Sequence, residues 1–378
     1  MAKSQPQLDV LVLGEHPSTY LAAMLVALNS KLRVLHATLP RQAEPDRLVL
    51  INPAFFDLHP LLGSLRRKVE MTPVYGLQFL ADDAVTRSEF RSKPALAYVA
   101  AYKALRAAML KLAQEQGLRM VIPRTMEIHR LDENGIDVTL GKDALRPRAL
   151  IVGAEFPPAE RKMLGIPDAW GTDVVHRYTF LKLPANRWMG AGSRPIIPMS
   201  LNLRDSLCWG WLMPGPRCIQ LAVEQPIETV SSLRPVDLLR HWADVLRSHH
   251  VLSGNGSLPF DSAESMDLPL TGALEHEGVA NRTLLIGPAG GFYSACAEDI
   301  YPNCWSALFA ADAIRKALRE PHLQDALQPY RQKWRTTLGE YLRGPQQNLR
   351  FLLPLVYRNQ KMTTRLTEAI LQGRSVIR

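Results

Sequence analysis

The chain has 378 residues, 47% of them hydrophobic and 21% charged, which is typical of a globular protein large enough for two domains. Its net charge is +9, no apolar run reaches the roughly 18 residues of a membrane-spanning helix, and the first ten residues lack a signal peptide's apolar core. The cysteines Cys208, Cys218, Cys296 and Cys304 form no C-x-x-C pair. A cytoplasmic protein in a reducing compartment is expected.

The first elements predict a dinucleotide-binding unit. Residues 9–13 (DVLVL), an aspartate and an apolar run ended by Gly14, predict a buried strand. Residues 20–28 predict a helix, and residues 32–35 predict a second strand. A strand, a tight turn, a helix and a parallel strand within about thirty residues form the unit that binds dinucleotides.

The turn of this unit departs from the glycine pattern G-x-G-x-x-G. It reads GEHPST from residue 14, so only Gly14 is kept, and His16 and Thr19 stand where the pattern has its other glycines. Glycine matters there because only a bare backbone lets a diphosphate approach the helix N-terminus. The acidic residue that binds a ribose hydroxyl is replaced by His36 or Ala37, depending on a one-residue gap.

Later segments of the chain predict a helix, a hairpin, a further strand and a second glycine-rich loop, in that order. Residues 102–117 predict an amphipathic helix, residues 126–140 a hairpin turning at 133–135, and residues 149–155 a strand before Leu164-Gly165-Ile166. Near the end, LLIGPAGGF precedes a helix. In this order the chain resembles the p-hydroxybenzoate hydroxylase-type FAD-dependent oxidoreductases.

Most positions that this resemblance assigns to the flavin are changed. The family's arginine falls on Tyr102 beside Lys103, its Asp-Gly motif on Glu155, and its ribityl-binding aspartate on Pro288. The family's final loop, Gly-Glu-Gly-Ile, reads Ala-Glu-Asp-Ile at residues 297–300. The positions that match cofactor contacts are Gly14, His16, Ser18, Thr19, His36, Tyr102, Lys103, Glu155, Gly287, Pro288, Ala289, Gly290 and Gly291.

The nearest branch is the geranylgeranyl reductase-like group, with the flavin halogenases as relatives. The segment WGWLMP at residues 209–214 is similar to a motif of both, whereas residues 71–79 contain no halogenase-type lysine. Trp209 and Trp211 alternate along a predicted strand and so point to one face, where they either line a substrate cavity or pack in the core. Glu298 and Asp299 either form a polar pair at the flavin's edge or, as we expect, face water.

The excess of positive charge lies in the last part of the chain. Residues 315–378 hold 13 Lys or Arg and four Asp or Glu, interspersed with apolar residues. Such a tail either contacts an anionic membrane surface or packs on the core with a solvated basic face. No metal-ligand spacing and no nucleic-acid-binding motif is present, so neither a metal nor a nucleic acid is expected.

We therefore predict an α/β fold with a discontinuous Rossmann-like FAD/NAD(P)-binding domain, residues 1–50, 90–165 and 280–320. Residues 51–89 and 166–279 form an antiparallel substrate-binding sheet domain, and residues 321–378 form the basic helical tail.

Two functions are compatible with the sequence. The resemblance implies an FAD-dependent oxidoreductase that transfers hydride to or from an apolar, isoprenoid-like substrate, with NAD(P)H as a candidate electron donor. The alternative is a pseudoenzyme or a lipid- or small-molecule-binding protein of the same fold that does not bind FAD normally. If each changed contact costs about 1 kcal/mol, about seven changes would remove most of a micromolar-to-nanomolar affinity.

Overall fold

A computed structural model describes residues 7–38, 45–153, 158–166, 175–190, 192–205, 208–254, 256–269, 278–343 and 349–376. Within these ranges the strands are β1 (Gln7–Leu13), β2 (Val34–Ala37), β3 (Leu48–Ile51), β4 (Met71–Val74), β5 (Gly76–Leu80), β6 (Arg87–Arg91), β7 (Ala97–Ala101), β8 (Met120–Val121), β9 (Met126–Asp132), β10 (Gly135–Leu140), β11 (Asp143–Val152), β12 (Val175–Pro184), β13 (Ile197–Ser200), β14 (Trp209–Pro214), β15 (Cys218–Pro226), β16 (Glu264–Pro269), β17 (Val279–Ala280) and β18 (Thr283–Leu285).

The helices in the same ranges are α1 (Pro17–Ala27), α2 (Pro60–Gly63), α3 (Leu65–Lys68), α4 (Tyr102–Glu115), α5 (Pro158–Met163), α6 (Pro235–Ser248), α7 (Gly287–Gly290), α8 (Ile300–Ala317), α9 (Leu323–Leu327), α10 (Pro329–Arg343), α11 (Leu349–Val356) and α12 (Gln360–Gln372). The predicted α/β fold with C-terminal helices is confirmed.

The first sheet is the dinucleotide-binding type of sheet. Its strand order is β17-β18-β11-β1-β2-β8, and the β9–β10 hairpin continues from β11. Strand β1 runs parallel to β2 and β11, and β11 runs parallel to β18. The carboxyl ends of these strands therefore meet at one edge, which is where ligands bind in open α/β sheets.

Two further sheets cover the rest of the described chain. The larger has the order β16-β12-β15-β14-β13-β5-β6 and is antiparallel except between β13 and β5. The smaller has the order β3-β7-β4. The two larger sheets draw their strands from the segments that we assigned to the two domains, and the domain boundaries stay a prediction.

The C-terminal helices are part of the core. Helix α10 buries Tyr330, Trp334 and Leu338 against the first sheet's helices, and α12 buries Leu366 and Ile370 in the core of the second sheet. The tail thus packs its apolar faces inward, and its contact with a membrane stays a prediction. None of the described helices is long and apolar enough to cross a bilayer.

Helix α1 is buried on nearly all sides because it lies between the first sheet and α8. Its first turn approaches the end of β11 closely. A Cβ atom on Gly153 would lie 2.3 Å from Thr19 Cγ2 and 3.3 Å from Ile286 Cγ1. The threonine that replaces the pattern's third glycine therefore fits because its neighbour has no side chain.

This contact predicts a rescue by a second substitution. Gly153→Ala should lower the free energy of unfolding by about 1–3 kcal/mol, because the added methyl overlaps Thr19 Cγ2. Thr19→Ser removes that methyl and keeps the hydroxyl, so the double variant should recover much of the loss. Urea unfolding of the four proteins measures the coupling, with Gly63→Ala as the control, since nothing lies within 4 Å of a Cβ there. Additive effects of the two substitutions would contradict the packing.

Candidate functional site

A histidine in the turn between β1 and α1 caps the N-terminus of α1. His16 is the N-cap of α1, and its Nδ1 accepts the Ser18 N–H at 3.1 Å and lies 2.8 Å from Ser18 Oγ. Because this Nδ1 accepts a backbone N–H, the ring's proton is on Nε2. His16 is 4% exposed. Its ring occupies the helix N-terminus at which a dinucleotide's diphosphate would bind.

A buried ion pair faces this ring. Asp299 Oδ2 lies 3.3 Å from His16 Nε2 and 2.5 Å from Arg47 Nη2. The side chains of Arg47 and Asp299 are 2% and 0% exposed. The guanidinium lies 4.6 Å from the centre of the Tyr102 ring, which is a cation–π distance. We call His16, Arg47, Tyr102 and Asp299 the buried cluster.

The charge of Asp299 depends on its neighbours. Burial favours the neutral acid, but the Arg47 cation and the His16 contact outweigh it, so the pKa of Asp299 lies below its ordinary value. The carboxylate is therefore ionised and compensated inside the protein.

Glu298 is buried beside the cluster and has the opposite shift. Its two oxygens accept the Tyr301 N–H at 2.8 Å and the Tyr341 hydroxyl at 3.0 Å. Burial raises the pKa of Glu298 to about 8. Our expectation that Glu298 and Asp299 face water is thus wrong, because α10 covers one of them and Arg47 covers the other.

The ribose end of the turn is also filled. His36 is fully buried, stacks on Tyr20 with ring centres 4.7 Å apart, and places Nε2 3.2 Å from Thr19 Oγ1. The same hydroxyl donates to the His16 carbonyl at 2.8 Å. Burial lowers the pKa of His36 to about 4, so the ring is neutral at pH 7.

The second glycine-rich loop keeps an unusual backbone. Gly287 and Gly291 have φ values of 58° and 69°, and Pro288, Ala289 and Gly290 complete the short helix α7. A Cβ on Gly287 would lie 2.8 Å from Ser18 Oγ, so this loop and the first turn are in contact. Ala297, at the position where the resemblance places a glycine, has φ of 53° and so lies in the left-handed region that glycine favours.

The remaining predicted residues do not join the cluster. Lys103 is exposed, and Glu155 lies outside the described residues. Trp209 and Trp211 are both buried in the core of the second sheet, where Trp211 stacks on Tyr178 with ring centres 5.5 Å apart. The described residues contain no group of His, Cys, Asp and Glu placed to hold a metal ion.

Sequence reasoning missed Arg47, Tyr20 and Tyr341. Arg47 directly precedes the apolar run of β3. An arginine at the start of a buried strand is a weak sequence signal for an ion pair, because its partner Asp299 is distant in the chain.

The side chains present do not fit a flavin dinucleotide. A diphosphate at the N-terminus of α1 would have to displace the His16 ring from the Ser18 N–H, and it would then face the ionised Asp299. Glu15, in the same turn, is a second carboxylate and is ion-paired with Arg106. The capped helix end and the buried His16 ring therefore oppose the binding of an anion, whereas each of the two carboxylates is already paired with an arginine.

A scan against protein-family models and a search of curated proteins found no match. Solved structures match the chain over nearly its whole length. A geranylgeranyl bacteriochlorophyll reductase-like protein from Thermoplasma acidophilum is 14% identical, with a TM-score of 0.76, and the match covers 99% of this chain and 94% of that one. A flavoprotein/dehydrogenase from Cytophaga hutchinsonii is 13% identical, with a TM-score of 0.68 and coverages of 98% and 97%.

A third match is PqsL, a probable FAD-dependent monooxygenase from Pseudomonas aeruginosa. It is 16% identical, with a TM-score of 0.61 and coverages of 94% and 98%. The chain therefore has the fold of the FAD-dependent oxidoreductases, as the order of its sequence motifs predicted.

The left-handed backbone at residue 297 predicts that glycine can replace Ala297 without loss of stability. Ala297→Gly relieves a left-handed conformation, worth about 1–2 kcal/mol, and this offsets the loss of one buried methyl, about 0.8 kcal/mol. Ala295→Gly, in the same buried loop but with no positive φ, gains nothing and loses the methyl. Urea unfolding should show the first variant as stable as the parent and the second about 1 kcal/mol less stable. Equal losses would contradict the strained backbone.

The raised pKa of Glu298 predicts a specific pH dependence. Between the ordinary pKa of 4.5 and the folded value of about 8, the folded protein keeps a proton that the unfolded chain has released. The contribution of Glu298 to the free energy of unfolding should therefore be fully present below pH 4.5, and it should decline as the pH rises to about 8. Glu298→Gln should remove this decline, so the variant gains stability relative to the parent as the pH rises.

The measurement is the free energy of unfolding of both proteins at about pH 5 and about pH 8, where the relative gain should exceed about 1 kcal/mol. Glu340→Gln, at an exposed position on α10, is the control and should leave the pH dependence unchanged. A pH profile identical in parent and Glu298→Gln would refute the assignment.

Proposed function

We propose that the protein uses the flavoprotein fold without a flavin dinucleotide, as a pseudoenzyme that serves as a small-molecule-binding protein. The observation that carries this proposal is the buried cluster. His16 caps α1 where a diphosphate would bind, and Asp299, paired with Arg47, faces the same ring.

Energetics support the proposal. Moving His16 away removes a helix cap, which costs about 0.5–2 kcal/mol. Separating a buried arginine from its carboxylate partner costs about 3–5 kcal/mol. FAD would have to offset both terms before gaining affinity, and Pro288 offers neither a carboxylate nor an N–H to its ribityl chain.

A second candidate is an FAD-dependent oxidoreductase that resembles geranylgeranyl reductases, with an apolar substrate and NAD(P)H as electron donor. It is favoured by the match over 99% of the chain and by the left-handed backbone at Gly287 and Ala297. Two observations oppose this candidate. The His16 ring fills the site of the flavin's diphosphate, and Trp211 and Tyr178 are stacked in the core of the second sheet and leave no substrate cavity between them.

The two functions differ in a direct measurement. The full chain, purified from cells supplied with riboflavin, should be colourless and should release no flavin on denaturation. Titration with FAD, followed by quenching of flavin fluorescence, should show no saturable binding below about 100 µM. A yellow protein with stoichiometric flavin, or FAD binding at about 1 µM, would exclude the first proposal and support the second.

A variant tests the physical reason. Replacing His16 and Asp299 by glycine in one protein frees the N-terminus of α1 and leaves the Arg47 cation facing it. Provided that the thermal melt shows a folded protein, this variant should bind FAD or inorganic pyrophosphate at least about tenfold more tightly than the parent. Arg106→Ala is the control, since it weakens an ion pair beside the turn without emptying it. A folded double variant that binds no better would show that the cluster is not what excludes the anion.

A further inference from the structure

A cavity lies at the edge of the first sheet opposite the buried cluster. Its volume is about 540 Å³, and it lies among the amino ends of β1 and β2 and the carboxyl ends of α1 and α4. Small-molecule sites in proteins commonly have volumes of about 300–1,000 Å³. It is remote from the buried cluster, which lies at the carboxyl edge of the same strands.

The walls of this cavity are mainly apolar. Ten of its fifteen lining residues have apolar side chains, among them Met24, Leu28, Leu32 and Leu61. The three leucines are only half-buried, so aliphatic surface remains accessible at the opening. Burying it under a ligand is favourable by about 25 cal/mol per Å². A ligand with an aliphatic chain fits these walls.

The opening of the cavity is positively charged. Arg33 and Arg119 line it, and Lys31 is exposed in the adjoining turn. Arg33 is held by Asp9, whose Oδ2 accepts the Arg33 backbone N–H at 2.8 Å. Arg119 is exposed, and within the part of the chain that the structure describes no carboxylate pairs with it. Its guanidinium can therefore bind an external carboxylate, with two N–H groups in a bidentate arrangement.

The negative end of α1 is partly compensated beside the cavity. A helix C-terminus carries partial negative charge on its last carbonyls. Here the Ser30 hydroxyl donates to the carbonyls of Val26 at 2.7 Å and Ala27 at 3.1 Å. The last two carbonyls of α1 are thus already hydrogen-bonded.

We propose that this cavity binds a single-chain amphipathic carboxylate of the fatty-acid type. The aliphatic chain lies along Met24, Leu28 and Leu61, and the carboxylate pairs with Arg119. A nucleotide or sugar phosphate is a poorer fit, because the apolar walls offer few hydrogen bonds to it. The site does not depend on whether a flavin binds at the other edge of the sheet.

The test uses the full chain and 11-(dansylamino)undecanoic acid, a fluorescent fatty-acid probe, below its micellar concentration. Probe fluorescence should rise to saturation with one site per chain, and dodecanoate should displace the probe at least about tenfold more effectively than dodecanol, which lacks the charge. Vesicles of phosphatidylglycerol should not displace it. Displacement by vesicles, or equal displacement by acid and alcohol, would overturn the proposal.

Two variants locate the site. Arg119→Ala should weaken probe binding about tenfold, and Arg119→Lys should restore part of the loss. Ala27→Trp, at a half-buried lining position, should fill the cavity and abolish binding. Arg124→Ala is the matched control, because Arg124 is exposed a few residues further on and does not line the cavity. Thermal melts establish that each variant is folded, and unchanged binding in folded Arg119→Ala and Ala27→Trp would refute the site.

Discussion

The contact between Arg47 and Asp299 determines the architecture of the whole carboxyl edge. Both side chains are buried, and a buried charge is tolerated only when a partner of opposite charge is held beside it. The pair joins the start of β3 to the start of α8, and through His16 it also holds the turn that begins α1. These segments cannot separate to admit a ligand without leaving one charge uncompensated in an apolar interior.

The replaced positions form contacting pairs. His16 stands at the pattern's second glycine and Asp299 at the last glycine of the final loop, and the two side chains touch at 3.3 Å. Thr19 stands at the third glycine and His36 at a position considered for the ribose-binding acid, and they lie 3.2 Å apart. These two pairs of side chains contact each other in the space that a dinucleotide would require, which is the packing that our proposed function rests on.

The sequence predicted what short-range patterns determine. The apolar run before Gly14 and the hairpin at residues 133–135 were confirmed because strand period and turn chemistry are local properties. The partner of Asp299 could not be predicted in this way, since Arg47 is 252 residues distant in the chain. Tyr341, another distant residue, covers Glu298. A loop carboxylate therefore looked exposed when tertiary contacts had buried it.

Two loop residues at the closed edge have left-handed backbone conformations. Gly287 and Ala297 keep positive φ values although the surrounding side chains do not fit a flavin, so packing within the protein is sufficient to maintain these loops. At the other edge of the sheet, by contrast, the half-buried leucines around Arg119 leave apolar surface and an unpaired guanidinium accessible among the described residues. Under our two proposals, the ligand site of this sheet lies at its amino edge and not at the carboxyl edge that is usual for this architecture.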